Sequence, residues 1–149
     1  MKKLAIVLLL VFVAGCRQRQ VVVGTAPSAN DPGGATALDA LSKFMAAAKA
    51  QDLQAFANVW GTTAGPARST IAQAELEQRS IILLCYLKHD SYRVVSESPA
   101  TNNERVFSVE TKFRDLTRSA NFFATPGPAN RWYVKNFEIE KLTDVCQRR

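Results

Sequence analysis

The side chains that could do chemistry in this chain are few. His89 is the single histidine, and it lies four residues after Cys85. On a helix that spacing puts thiol and imidazole on one face, the arrangement of a nucleophile beside its base. Cys85 also sits in the most apolar run of the chain, Ile81-Ile82-Leu83-Leu84-Cys85-Tyr86-Leu87, where formation of a thiolate is disfavoured. At the end of a helix a histidine ordinarily caps carbonyls or stands in solvent, and that is the role expected of His89. Asp52 and Asp90 are two further ionisable side chains near these elements. Their positions first suggest a helix cap for Asp52 and a turn residue for Asp90. Glycine-rich phosphate loops, GxSxG, HExxH and CxxC are absent, and one histidine with three cysteines offers no zinc spacing. No catalytic residue, metal or cofactor is therefore assigned.

The third cysteine, Cys16, has a different setting. Met1-Lys2-Lys3 is a short positive segment, and Leu4 to Ala14 is uninterruptedly apolar. As a helix that stretch would reach only about 16 Å, roughly half the hydrocarbon core, which suits a secretory signal and not a membrane span. The residues that end it, Val13-Ala14-Gly15-Cys16, resemble the lipobox of bacterial lipoproteins, with Val13 where Leu is commoner. The resemblance implies diacylglyceryl transfer to the Cys16 thiol, cleavage before it, and a mature chain held to a lipid bilayer. Several acyl chains on one residue satisfy the requirement that stable anchoring takes more than one. The plainer reading is a signal peptide that happens to contain a cysteine. Arg17 stands where an Asp would mark inner-membrane retention, so the outer membrane of a bacterial envelope is favoured if the organism has one.

Residues 1–15 thus read as signal and 16–35 as acylated cysteine and flexible tether, rich in Gly, Pro, Ser and Asn, with Val21-Val22-Val23 as a weak strand candidate. Residues 36–149 form the folded domain. With 47% hydrophobic and 21% charged residues overall, the chain can fill one core. The signal removes Lys2 and Lys3, lowering the net charge from +6 to +4, and setting aside Arg17, Arg19 and Asp31 leaves +3 for the domain. No like-charge run exceeds the pair Arg148-Arg149, so a nucleic-acid footprint is not expected. If Cys16 carries lipid, Cys85 and Cys146 remain as an even pair in an exported domain. They either form a disulfide or stand as two free thiols, and the bridge is favoured because disulfides persist after export.

Leu38, Leu41, Phe44, Met45 and Ala48 fall on one face of a first helix with Thr36 as N-cap; Asp52 caps a second helix carrying Leu53, Phe56, Ala57 and Trp60. A capping box at Thr70-Ile71-Ala72-Gln73 opens a third. Its apolar run through Leu87 predicts the most buried element of the domain. Beyond Asp90 the period becomes two, giving strands at 91–98, 105–114, 117–125 and 130–142. In the second, Phe107, Val109, Thr111 and Phe113 oppose Ser108, Glu110 and Lys112. In the last, a phase slip near Lys135-Asn136 calls for a β-bulge.

The expected fold is α+β: three N-terminal helices packed on a curved four-stranded antiparallel sheet. This order resembles the NTF2-like superfamily (SnoaL and ketosteroid-isomerase type). The resemblance rests on the first helix, the turn Ala50-Gln51-Asp52-Leu53 into a helix ending at Trp60, and the late strand Arg131-Trp132-Tyr133-Val134. A cystatin-like or other helix-on-sheet lipoprotein fold is the competitor. The resemblance implies a cone whose open end takes an apolar small ligand or an envelope protein. Trp60, Tyr86, Tyr92, Phe107, Phe113, Phe123 and Trp132 are candidate lining residues, although aromatics at such spacings more often form plain core. It implies as alternatives a homodimer through the exposed sheet face, and a small isomerase- or SnoaL-type enzyme with Asp52, His89 or Asp90 as base. The expectation is a non-catalytic binding or accessory module.

Overall fold

The structure, a computed structural model, describes residues 31–147. The signal segment, Cys16, Val21-Val22-Val23 and Arg148-Arg149 lie outside the described residues. The fold is α+β, with a four-stranded antiparallel meander, β3 (Ser91–Pro99), β4 (Arg105–Phe113), β5 (Leu116–Gly127) and β6 (Arg131–Phe137), in that spatial order. Before it come helices α1 (Ala37–Ala50) and α2 (Leu53–Val59), the two-stranded ribbon of β1 (Gly61–Thr62) and β2 (Gly65–Pro66), a short α3 (Ala67–Thr70), and α4 (Gln73–Tyr86).

α1 begins where Thr36 accepts a hydrogen bond from the Asp39 N–H, and α2 where Asp52 accepts from the N–H groups of Gln54 and Ala55, as their positions in the sequence predict. Between them Gln51 takes a left-handed conformation, and its side-chain amide donates to the carbonyls of Ala48 and Leu84. That bond ties the helical hairpin to α4. α1 crosses β5 and β6, and its stripe closes on Phe107, Val109, Phe122, Val134 and Phe137 from the sheet.

Four sequence readings need correction. Thr70 does not open a helix: it ends α3, and its hydroxyl donates back to the Pro66 carbonyl. Ile71 is extended because it packs on the cluster of Ala57, Ala67 and Leu76, so α4 starts only at Gln73. Second, the helices number five and not three among the described residues, because α3 stands apart from α4 and a fifth follows the sheet. Third, α4 is not the most buried element. It packs on α2 and α5 at the flank, so Ile81 and Ile82 are 59% and 55% exposed. Fourth, the last strand stops at Phe137, where the chain turns through 3-10 geometry at Ile139–Lys141 into α5 (Thr143–Gln147). That turn buries Leu142 and Val145.

α5 brings Cys146 to Cys85, and the two are disulfide-bonded across a sequence separation of 61. On the chain-entropy argument a loop of that length contributes about 4 kcal/mol. Arg118 on β5 pairs with Asp144 and holds α5 from the sheet side.

The bulge expected near Lys135 is present: Val134 faces Ala124 and Asn136 faces Phe123, leaving Lys135 as the extra residue. A second register shift, at Val95, bends β3. The two sheet edges differ. β6 is covered by Gly34, which exchanges both backbone hydrogen bonds with Trp132, and by Trp60, which bridges Val134. Gly33 and Gly34 are thus buried parts of the fold; a Cβ on Gly34 would collide with the Ala40 backbone. β3 is an open edge whose bulge and Pro99 disfavour further strand pairing.

Candidate functional site

The interior between helices and sheet is the first place to look for a pocket, and it is filled. Phe44 stands 4.7 Å from Phe56, ring centre to ring centre, and 6.2 Å from both Phe122 and Phe137. Phe122 and Phe137 stack at 5.4 Å. Phe107, Leu41 and Met45 complete the packing, all fully buried. These side chains meet in T-shaped and offset arrangements and leave the middle of the layer as core.

The seven candidate lining aromatics are therefore not brought together. Phe107 is central core. Trp60 lies 5.8 Å from Phe56 at the end of α2, where its other side shares a shallow groove with Arg79, Ile82 and Leu83. Tyr86 is half-buried on α4, and Tyr92 stands at the open sheet edge against His89. Phe113 lies under the Arg114 guanidinium, 5.2 Å from its carbon. Phe123 is paired with Val106 on the outer sheet face, because alternation sends Phe122 inward. Sequence periodicity can place an aromatic on a face but cannot say whether that face is hollow.

Trp132 lines a more voluminous open concavity than the grooves beside Trp60 and Tyr92. A groove of about 460 Å³ lies between the start of α1 and one end of the sheet. Leu38, 46% exposed, and Trp132 give it apolar surface. Arg105 and Glu97 pair across it at 2.7 Å, and Thr36 and Asn103 lie on its rim. The bulge at Val95 is what brings Glu97 to this face: beyond it Glu97 opposes Phe107, and Arg105 opposes Pro99. Leu38, read from the sequence as part of the inward stripe of the first helix, faces this groove instead. Glu97, Asn103 and Arg105 did not stand out in the sequence, and only the bulge could have signalled the pair.

The three possible bases are committed elsewhere. Asp52 is the cap of α2. Asp90 accepts the Arg114 N–H at 2.7 Å, which fixes the β4–β5 turn, while its own carbonyl accepts from the Lys49 ammonium at 2.7 Å. His89 is only 6% exposed. Its Nδ1 lies 2.8 Å from the Leu87 carbonyl, and since a carbonyl only accepts, Nδ1 carries the proton. Nε2 is then a bare acceptor, with no partner among the described residues. Burial holds the imidazole pKa below its ordinary 6.5 and Lys49 pushes the same way, against the Leu87 bond and Asp90. His89 is a neutral, capping histidine. Cys85, as half of a disulfide, supplies no thiolate to it.

Glu138 is a shifted carboxylate: hydrogen bonds from Lys141 and from the Asn121 N–H hold its carboxyl below the usual range. It fastens the turn after β6 to β5. Among the described residues no group of three or more His, Cys, Asp or Glu side chains is placed to hold a metal, and no helix is long and apolar enough to cross a membrane. No family model, no curated protein and no solved structure matches this chain.

Proposed function

We propose that this chain is a lipid-anchored lipoprotein of the bacterial envelope whose α+β domain, a cone of the NTF2-like type, serves as a non-catalytic binding or accessory module. The observation that carries the reading is Val13-Ala14-Gly15-Cys16 placed directly behind the apolar stretch Leu4 to Ala14. The Cys85–Cys146 bridge supports it, since such cross-links persist where export has taken the chain. A helical hairpin laid on a bulged antiparallel sheet supports the cone.

Acyl chains on Cys16 would bind the bilayer, and the 15 residues from there to Asp31 allow the domain to stand up to roughly 50 Å away. With the interior filled, recognition falls to the mouth beside Trp132. Its volume lies within the range of small-molecule pockets, and the apolar surface of Leu38 and Trp132 beside one ion pair supports a small ligand with an apolar part or the side chain of an envelope protein. Arg17 favours the outer membrane over the inner one if the organism has both.

The test is the mature protein itself. Mass spectrometry should find an N-terminal Cys16 carrying acyl mass, and Cys16→Ser should move the chain from the salt-washed membrane fraction to the soluble one. An unmodified Cys16, or a serine variant still in the membrane, refutes the anchor.

A further inference from the structure

A second concavity is enclosed by α2, α3 and the first turns of α4. It measures about 170 Å³, below the roughly 300–1,000 Å³ of drug-sized pockets, so it suits a ligand of a few heavy atoms. Ala57, Leu76 and Ser80, all buried, form its floor, while Arg68, Gln73 and Glu77 stand in its walls.

Three features set it apart from a packing fault. Ser80 is 1% exposed, yet its Oγ has no hydrogen-bond partner among the described residues. An unsatisfied buried hydroxyl is destabilising, and a ligand atom on the cavity side would relieve it. Arg68 donates from Nη1 to Oδ1 of Asn58 at 2.7 Å, and Asn58 is itself buried. The guanidinium is therefore oriented, but it makes no ion pair among the described residues, so further N–H groups of its fork are unspent. Glu77 lines the same cavity and accepts from the Gln73 amide at 3.0 Å. Cation and carboxylate share one small space and do not pair with each other.

We propose that this cavity binds a small zwitterion, a free α-amino acid with a short side chain. Its carboxylate lies on the Arg68 fork, which matches carboxylate geometry. Its ammonium lies on Glu77, and its side chain rests on Ala57 and Leu76 with the Ser80 hydroxyl as the one polar group of the floor. A simple anion would meet Arg68 but be repelled by Glu77, and a simple cation the reverse; only a molecule carrying both charges uses both walls. The site is independent of the mouth beside Trp132 and of the lipid anchor. With so few ligand atoms and an exposed rim, the dissociation constant is on the order of 0.1–1 mM.

The experiment titrates the full-length, nitrogen-15-labelled protein in detergent micelles with glycine, L-alanine and L-serine, and separately with acetate and with methylammonium. At least one amino acid should give saturable amide shifts at Arg68, Glu77 and Ser80, with acetate and methylammonium about tenfold weaker or more. Arg68→Gln should weaken binding about tenfold or more, the worth of a charged hydrogen bond. Glu77→Gln should bring acetate level with the amino acid. It also keeps the test open if Arg68→Gln disturbs Asn58, because the Glu77 carboxylate is exposed and, among the described residues, bonded to Gln73 alone. The proposal falls if no amino acid gives saturable shifts up to about 50 mM, some fifty times the weakest expected constant. It falls equally if acetate binds the unaltered protein as tightly as alanine, or if neither variant changes the titration.

Discussion

Two helices of 14 residues, α1 and α4, reverse what their compositions suggest. α4 carries the densest apolar run of the domain, Ile81 to Tyr86, yet among its residues only Leu76, Ser80 and Leu84 are buried. α1 is largely alanine with one Leu, Phe and Met set at helical spacing on its inner stripe. It buries Ala37, Ala40, Leu41, Phe44, Met45, Ala47 and Ala48. The difference is position. α1 lies across the sheet, where small side chains let it approach and Phe44 fills the gap between Phe56, Phe122 and Phe137. α4 lies at the flank, touching α2 on one side and α5 on the other. An apolar run states how much surface a helix could bury; which element crosses the sheet decides how much it does bury.

Phe44→Ala should show the largest effect, a loss of about 3–5 kcal/mol in denaturant unfolding, as for other large aromatic truncations in closed cores. A loss below about 1 kcal/mol would mean that α1 does not sit over the sheet.

A smaller effect is expected at His89. His89 follows the end of α4 and is faced by Lys49 from α1, by Asp90, and by the Tyr92 ring at 5.6 Å. Its folded pKa is lowered below 6.5, so between that lowered value and 6.5 the unfolded chain binds more protons. Stability is therefore complete above 6.5 and declines as the pH falls towards the folded pKa, with a slope of at most about 1.4 kcal/mol per pH unit. His89→Gln should flatten the urea midpoint against pH over that window. An unchanged slope in the variant would remove His89 from the account.

Ile82→Ser should change unfolding by no more than about 0.5 kcal/mol, despite removing one of the most apolar side chains of the run. A loss of 2 kcal/mol or more, about what full burial of an isoleucine is worth, would place α4 in the core after all.

Much of the fold was legible in the residues. Thr36 and Asp52 announced helix starts because a short polar side chain before an apolar stripe has one obvious use, the orphan N–H groups behind it. The phase slip at Lys135 announced a bulge because a period of two admits no other repair. Thr70 misled, since the capping-box pattern cannot reveal that Ile71 has an apolar cluster to join, nor could the period-two pattern beyond Phe137 show that Leu142 and Val145 gain burial by turning into α5. The concavities were the least legible part. Trp132 was named, but Glu97 reaches the groove only through a bulge at Val95, and Arg68 shares a cavity with Glu77 and Ser80 only because three helices converge.

By itself the sequence determined the α+β class, the alternation of the sheet, two helix caps and the pairing of Cys85 with Cys146 as one of two open outcomes. These rest on neighbours in the chain or on simple counting, and local sterics and hydrogen bonding settle them. Tertiary structure alone decided that the layer is filled by phenylalanines, that α4 lies at the flank, and that an arginine and a glutamate share a cavity without touching. Those depend on how elements distant in sequence pack, and close packing is a property of the assembled volume, which no local pattern encodes.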